Sequence, residues 1–521
     1  MAAGYAGKLA CFLIKDQFGD LVHSVCECLI SRGQLSLPEI GSFTLLARPH
    51  LASCLLVLIQ HNCVQAFKVL DEDNLEARLR YTAIVDHVVL RACFPLFLEL
   101  IREKTGNDQS EELALGLLQH GRLTLEQLIK RDAECSNSED AQSQFMEAFT
   151  NLLQHKLVER CPRPEAVLGF SDNAGDGRPA KKARGSSKKR SLPLNFETQV
   201  RRVLAAAAPM EAERFRGPSR WIMDEDAAAS TPSTSEKRKH GALWDSSSMD
   251  EKEVLWRVNF EECVKLLRHK ACASHVNFSF GSDAKTVVEA MLEATRKTET
   301  TVKAAFSDAL TLNDILILRS DWTAPVVRNA LKRMVEEGFI NSVGDAGSHY
   351  TVAMQKIVEL ARKTEVESIV SQRFGKPSSR ILRLLSKKGG SEQKAISEKC
   401  LIPDKEAWQL LYQLMKERYI ELQEVPKSAG DRAPARTFYL WHVDFSKLSS
   451  VVLEDMYHAA YNLHRQIEHR LEHEKELLII PTTGSLSNEQ QQKLDRLQSI
   501  VKILEVSIFK LMNTIMLYDF Y

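Results

Sequence analysis

The chain has 521 residues, enough for three or four domains at about 150 residues each. It is 44% hydrophobic and 26% charged, the composition of a globular protein with ordinary cores, and Lys+Arg and Asp+Glu both total 69. A formal net charge of zero excludes the broad basic field of a free, tight, non-specific nucleic-acid binder, so any DNA contact is confined to local patches or to a larger assembly.

The 11 Cys form no paired CxxC motifs, and the lone Cys26-x-Cys28 has no second half at zinc spacing. They read as reduced core thiols of a cytosolic or nuclear protein. No apolar run is long enough to span a membrane, and Leu9 to Ile14 is too short and poorly flanked for a secretory signal, so no membrane partner is expected.

From the amino terminus, Leu9, Phe12, Leu13, Phe18, Leu21, Val25 and Leu29 predict one long amphipathic helix from Lys8 to Arg32. A short helix capped by Ser36 with Glu39 follows, then an apolar helix from His50 to His61 and strands at 64–69 and 79–84. A second unit begins at Asp86. It has a long helix through Ile101, a short helix capped by Thr124 with Gln127, and a last helix from Gln144 to Lys156.

From Arg163 to about Gly241 the chain is rich in Pro, Gly, Ser, Ala and charge. It reads as a mostly disordered insert with one helix from Phe196 to Ala208. Lys181, Lys182, Arg184, Lys188, Lys189 and Arg190 make two basic clusters resembling a bipartite nuclear-import signal; the alternative is a solvated, self-repelling linker.

The third unit is expected to open with a helix over Glu251 to His275. Further helices follow at 284–297, 310–318 (capped by Thr311) and 325–337, then a hairpin over Phe339 to Val352 turning at Gly344 to Gly347. In the fourth, helices at 357–374 and 379–387 precede a short helix N-capped by Ser391, a helix opened by Pro403 and Asp404, and strands from Tyr419 to Leu422 and from Thr437 to Val443. Beyond Phe445, apolar residues recur at spacings of three and four, first through Val452, Met456, Ala459 and Leu463, and after a break at Pro481 through Leu494, Leu497, Val501, Leu504, Ile508, Leu511 and Ile515. That is the seam of an antiparallel helical hairpin; two separate helices on the globular body are the alternative.

One signature recurs four times, as Leu58-Ile-Gln-His-Asn-Cys-Val64, Leu152-Leu-Gln-His-Lys-Leu-Val158, Met334-Val-Glu-Glu-Gly-Phe-Ile340 and Leu414-Met-Lys-Glu-Arg-Tyr-Ile420. Each is a helix end with two apolar residues, three polar or small ones and a strand start. Such self-similarity marks a repeated supersecondary unit; an unrelated run of helical hairpins is the alternative. Helix, turn, helix and β-hairpin is the plan of a winged helix. The fold class is therefore mainly α with small β wings: four tandem winged-helix domains plus a C-terminal antiparallel helical hairpin (coiled coil). The divisions are 1–84, 85–162, a basic insert 163–245, 246–352, 353–443 and 444–521.

No nucleophile elbow, phosphate loop, zincin helix, dinucleotide fingerprint or EF-hand loop is present, so no catalytic residue, metal or cofactor is assigned. In a DNA-reading winged helix the second short helix enters the major groove and exposes Arg, Lys, Asn or Gln. The first copy offers an almost wholly apolar helix there. The third carries Arg328, Asn329, Lys332 and Arg333, and the fourth has an acidic, aromatic helix but a wing loop with Lys427, Arg432 and Arg436. Those six basic residues of the third helix and fourth wing are the candidate DNA contacts; ordinary exposed basic residues are the alternative for each one taken singly.

The fourth unit is the most specific stretch: Phe374-Gly375, Arg380-Ile-Leu-Arg-Leu-Leu385, Ile402-Pro403, Leu422-Gln-Glu-Val-Pro-Lys427 and Arg436-Thr-Phe-Tyr-Leu440. With Trp256 and Phe260 in the third unit and Gln17-Phe-Gly19 in the first, it resembles the family of the third-largest subunit of RNA polymerase III, tandem extended winged-helix proteins related to the large subunit of transcription factor E. The resemblance covers most of the chain outside the insert. It implies a non-catalytic, nuclear subunit in a three-subunit module on the polymerase clamp. Its partners would be the polymerase III core, two other subunits of that heterotrimer, promoter-bound factor IIIB and DNA, single- or double-stranded and held weakly by the chain alone. It further implies initiation and DNA opening at genes for transfer RNA, 5S ribosomal RNA and other short transcripts. A winged-helix scaffold of another multisubunit complex, binding only proteins, is the alternative.

Overall fold

The computed structural model describes residues 4–70, 77–135, 141–161, 166–168, 196–208, 211–217, 254–299, 301–319, 322–343, 349–426, 437–475 and 488–521. The chain divides into two compact units, Met1–Cys263 and Val264–Tyr521.

In the first unit the expected single amino-terminal helix is two, α1 (Tyr5–Phe18) and α2 (Asp20–Arg32). The break is Gly19, whose φ of 83° is left-handed backbone that a residue without Cβ adopts without strain. Apolar periodicity passes through the break, because both helices turn a face to the same core. Helix α3 (Leu37–Thr44) is capped as expected, the Ser36 N–H donating to Glu39 Oε2 at 2.7 Å. Helix α4 (Arg48–Gln60) leads into an antiparallel hairpin of β1 (Val64–Leu70) and β2 (Ala77–Ala83).

Then come α5 (Val85–Leu90), α6 (Phe94–Thr105), α7 (Asp108–His120), the two-residue strand β3 (Leu123–Thr124), α8 (Leu125–Cys135), α9 (Ala141–Gln154) and β4 (Val158–Arg160). The helix expected through Ile101 is interrupted by a 3-10 turn at Arg91–Cys93, where Pro95 opens the next helix.

Two strands join these sheets from a distance. Strand β5 (Ala166–Leu168) lies parallel to β1, and α10 (Phe196–Ala207), followed by the single turn α11 (Glu211–Arg214), packs on the same strand, with Phe67, Val203 and Ala207 forming one buried cluster. The helix expected in the insert is therefore present and docked. Strand β6 (Leu255–Val258) sits between β3 and β4 and completes the second sheet. The expected helix from Glu251 is corrected: residues 255–258 are strand, and α12 (Phe260–Phe280) starts after them. Burial alternates here, Trp256 and Val258 inward and Leu255 outward, and Trp256 meets Phe149 edge-on at 5.2 Å.

The second unit continues with α13 (Ser282–Thr295), β7 (Leu310–Thr311), α14 (Leu312–Ile317), α15 (Ala324–Glu336) and the pair β8 (Ile340–Val343) and β9 (His349–Val352). Thr311 caps α14 through a reciprocal pair with Asp314. The expected turn at Gly344 to Gly347 lies outside the described residues. Helices α16 (Met354–Phe374) and α17 (Lys376–Lys388) precede α18 (Gln393–Cys400), α19 (Asp404–Lys416) and the hairpin of β10 (Glu421–Pro426) and β11 (Thr437–His442). Ser391 is not the N-cap of α18; Glu392 holds that position. Ser391 instead pairs its backbone with Trp441, tying the helical core to the wing.

The C-terminal pair is α20 (Phe445–His473), capped by Asp444, and α21 (Asn488–Ile515), which pack on each other. The inward residues of α20 are Leu448, Val452, Met456 and Ala460, with Ala459 exposed, because 3.6 residues per turn rotates a strict seam by this point. A π-helical turn, Met516–Phe520, ends the chain against α16. Arg362 donates to the carbonyls of Leu517 and Tyr521, and the Tyr518 hydroxyl donates to the carbonyl of Arg362.

The fourfold signature has one physical cause. Its third polar residue is Asn62, Lys156, Gly338 or Arg418, each in the left-handed conformation. In every copy the next residue's N–H donates back to the helix, Cys63 to Leu58, Leu157 to Leu152, Phe339 to Met334 and Tyr419 to Leu414, at 2.8 to 2.9 Å. These are Schellman C-caps, which satisfy orphan helix carbonyls and turn the chain into the wing.

Candidate nucleic-acid interface

Helix α15 has two faces. Val327, Ala330, Leu331 and Met334 are buried, and Arg328, Asn329, Lys332 and Arg333 are exposed on the other side. Arg328 and Lys332, four residues apart, stack along one line of the helix, and Arg333, one residue on, turns to the neighbouring side. The Arg333 guanidinium also lies 5.7 Å from the Phe280 ring centroid. Nearby in sequence, Arg319 lies 5.7 Å from the Trp322 ring, and Asn341, Ser342 and Val343 of β8 are exposed. Side chains of this kind, on the second helix of a helix-turn-helix, suit phosphate and base-edge contacts.

The wing residues Lys427, Arg432 and Arg436 lie outside the described residues, as do the basic-cluster residues Lys181, Lys182, Arg184, Lys188, Lys189 and Arg190. The helix equivalent to α15 in the fourth copy differs. Trp408 and Tyr412 of α19 stack with centroids 5.7 Å apart and an interplanar angle of 11°, both about half exposed, beside exposed Asp404 and Glu406. The i, i+4 spacing of these two rings puts both on one side of the helix, a signal that the sequence reading of an acidic, aromatic helix did not use. Helix α4 exposes Ala52, Ser53 and Leu56 along its length, and Arg48 and His50 only at its first turn.

Sequence reading missed a buried ionic network in the first unit. Glu159 of β4 is 1% exposed and accepts from Arg257 of β6 at 2.8 Å and from Arg214, which lies in a short helical turn, Glu211–Arg214, of the insert. Arg214 also donates to Glu261 at 2.8 Å. Burial alone would lower the Arg214 pKa, but the two carboxylates hold it above its ordinary value. Arg257 and Arg122 both donate to Asn62 Oδ1, at 3.2 and 2.9 Å. The first copy, the second copy and the insert are thus joined by charge-assisted hydrogen bonds. His87 is sealed beside them. Burial, then the charge of Arg257, lowers its pKa to about 4, so it is neutral and its Nδ1–H donates to the Asn62 carbonyl at 3.0 Å. No spacing in the sequence links positions about a hundred residues apart.

Among the described residues, no three His, Cys, Asp or Glu gather as a metal site. Thiols such as Cys63 and Cys93 are pushed up to about 11 and about 12 by burial, which keeps them protonated.

Three family models match this chain in sequence order. They are the RNA polymerase III subunit RPC82 helix-turn-helix domain over residues 8–69, RNA polymerase III subunit RPC82 over 147–361, and the POLR3C C-terminal winged-helix domain over 366–443. Together they take in more than half of the chain, including α3 with α4, α14 with α15 and α18 with α19, while α7 and α8 fall between the first two models. The chain belongs to the RNA polymerase III subunit RPC82 family. It is similar to DNA-directed RNA polymerase III subunit RPC3 of Danio rerio, 29% identical over 90% of this chain and 84% of the relative. The RPC3 subunit of Homo sapiens is 25% identical over 99% of this chain and 97% of its own length. That of Dictyostelium discoideum is 23% identical over 99% and 100%. The RPC82-family match and the small antiparallel wings agree with the mainly α, winged-helix class expected from the repeats.

Proposed function

We propose that this RPC82-family chain is a non-catalytic, nuclear subunit of RNA polymerase III. In this reading it forms a peripheral heterotrimer with two other subunits, engages promoter-bound factor IIIB and helps open DNA at genes for transfer RNA, 5S ribosomal RNA and other short transcripts. The observation that carries the DNA-contacting part is the basic outward face of α15, on the helix that enters the groove in DNA-reading relatives of this fold. Arg328, Lys332 and Arg333 are the contacts proposed there, and Lys427, Arg432 and Arg436 those of the fourth wing. The division into four winged helices belongs to the same proposal, with β6 counted to the second copy because it completes that sheet.

The test is polymerase III reconstituted with and without this chain. Promoter-dependent initiation is expected to fall at least about tenfold without it, a change of about 1.4 kcal/mol or more in an apparent barrier. Elongation from a preassembled bubble is expected to be unchanged. Equal loss of both activities, or loss of neither, overturns the reading.

The two basic clusters of the insert are proposed as the nuclear-import signal. Deleting residues 181–190 from a fluorescent fusion is expected to cut nuclear accumulation several-fold; unchanged import refutes that role.

A further inference from the structure

Beside α15 the second unit holds a cleft of about 490 Å³, walled by α12, α15 and α16. That volume falls within the roughly 300–1,000 Å³ of small-molecule sites. Its lining is aromatic in an ordered way. Phe339 is buried; His275 stacks on it at 6.0 Å and 10°, and Phe278 stacks on His275 at 6.4 Å and 28°. Phe280 meets Phe339 edge-on at 4.9 Å, and Arg333 covers Phe280. The row ends in Phe278, which is 79% exposed. A large ring left in water at the end of a stack offers an open face to another flat ring.

Three further features narrow the ligand. Arg333 belongs both to this cleft and to the basic face of α15, so whatever tracks that face passes the cleft. Glu336 lies in the lining and disfavours a phosphate inside, while its carboxylate suits the exocyclic amino group of a base. His275 has its pKa lowered by burial, so it stacks as an uncharged ring. A base within a duplex has both faces covered by its neighbours; only an unpaired base has one to give.

We infer that the cleft takes one unpaired nucleobase, stacked on Phe278, from a DNA strand whose backbone follows Arg333. The inference rests on the reading of α15 as a DNA-contacting helix. It adds the position in the fold at which one unpaired base is held.

The experiment uses polymerase assembled with the full-length chain and two DNAs of one sequence, one fully paired and one with an unpaired bubble carrying 2-aminopurine. Wild type is expected to favour the bubble and to quench the probe on stacking. Phe278→Ala is expected to lose about tenfold of that preference, as one stacked base is lost, and to leave duplex binding unchanged. Phe278→Trp is expected to restore both preference and quenching. Because Phe278 is exposed, these variants fold as wild type does. An unchanged bubble-to-duplex ratio in Phe278→Ala overturns the inference, as does release of another subunit with no change in probe quenching. The salt dependence of the α15 alanine variant separates the two readings: a flattened slope with an intact bubble preference in Phe278→Ala keeps the helix and removes the cleft.

Discussion

Replacing Arg328, Lys332 and Arg333 of α15 together by alanine is expected to weaken duplex binding by the assembled polymerase on the order of a hundredfold at ~0.1 M salt. The plot of log affinity against log salt should lose about three units of slope, close to one for each phosphate contact removed. The expectation follows from placement. All three side chains are exposed, Val327, Ala330, Leu331 and Met334 carry the packing of α15 into its core, and Arg333 adds a contact with the Phe280 ring. Surface substitutions of this kind change stability by about 0.5 kcal/mol or less, so a melting curve should not move. Filter binding or anisotropy over a salt series, with the complex intact by gel filtration, checks it. A wild-type slope in the triple variant removes α15 from the DNA interface.

The second large effect concerns the first unit. Glu159→Gln keeps the shape of the side chain and removes its charge. Arg214 and Arg257, mostly buried against it, would then lose their shared carboxylate. Breaking a buried pair in this way costs about 3–5 kcal/mol. Denaturant unfolding should show that loss, and hydrogen exchange should rise over 211–217, where Arg214 anchors the insert, and across β4 and β6. Arg214→Ala is the informative contrast. It leaves Glu159 paired with Arg257, so the sheet is expected to hold while the 211–217 segment becomes protease-sensitive. A Glu159→Gln chain within about 1 kcal/mol of wild type would mean that relaxation or water replaces the carboxylate, and that the network does not fasten the insert.

Much of the molecule was legible residue by residue. The four Leu/Met-x-polar-polar-polar helix ends marked real helix-to-wing corners, because a Schellman cap is local: it needs an apolar helix end, one residue able to stand in the left-handed region, and an apolar residue to follow. The Ser36–Glu39 box and the Thr311 cap were legible for the same reason, and so was the basic face of α15, which follows from 3.6 residues per turn. Gly19 was missed because periodicity reports which residues face the core and not whether the helix carrying them is continuous. Ser391 was misread because a good capping residue also makes a good bridge residue, and its use depends on whether Trp441 is beside it.

The chain's own pattern of apolar, polar and left-handed-tolerant residues was enough to establish repeated winged-helix units, the caps that turn each helix end into its wing, the C-terminal helical pair and the outward basic face of α15. All of these depend on neighbours within a few turns. Folding in three dimensions decided that residues 255–258 complete a sheet begun at Leu123, that 166–168 and α10 return to β1, and that Glu159, Arg214 and Arg257 meet. Those pairings join segments far apart in the chain. The entropy of closing such a separation grows only slowly with its length, so partners are selected by complementary edges and charges and not by distance along the chain.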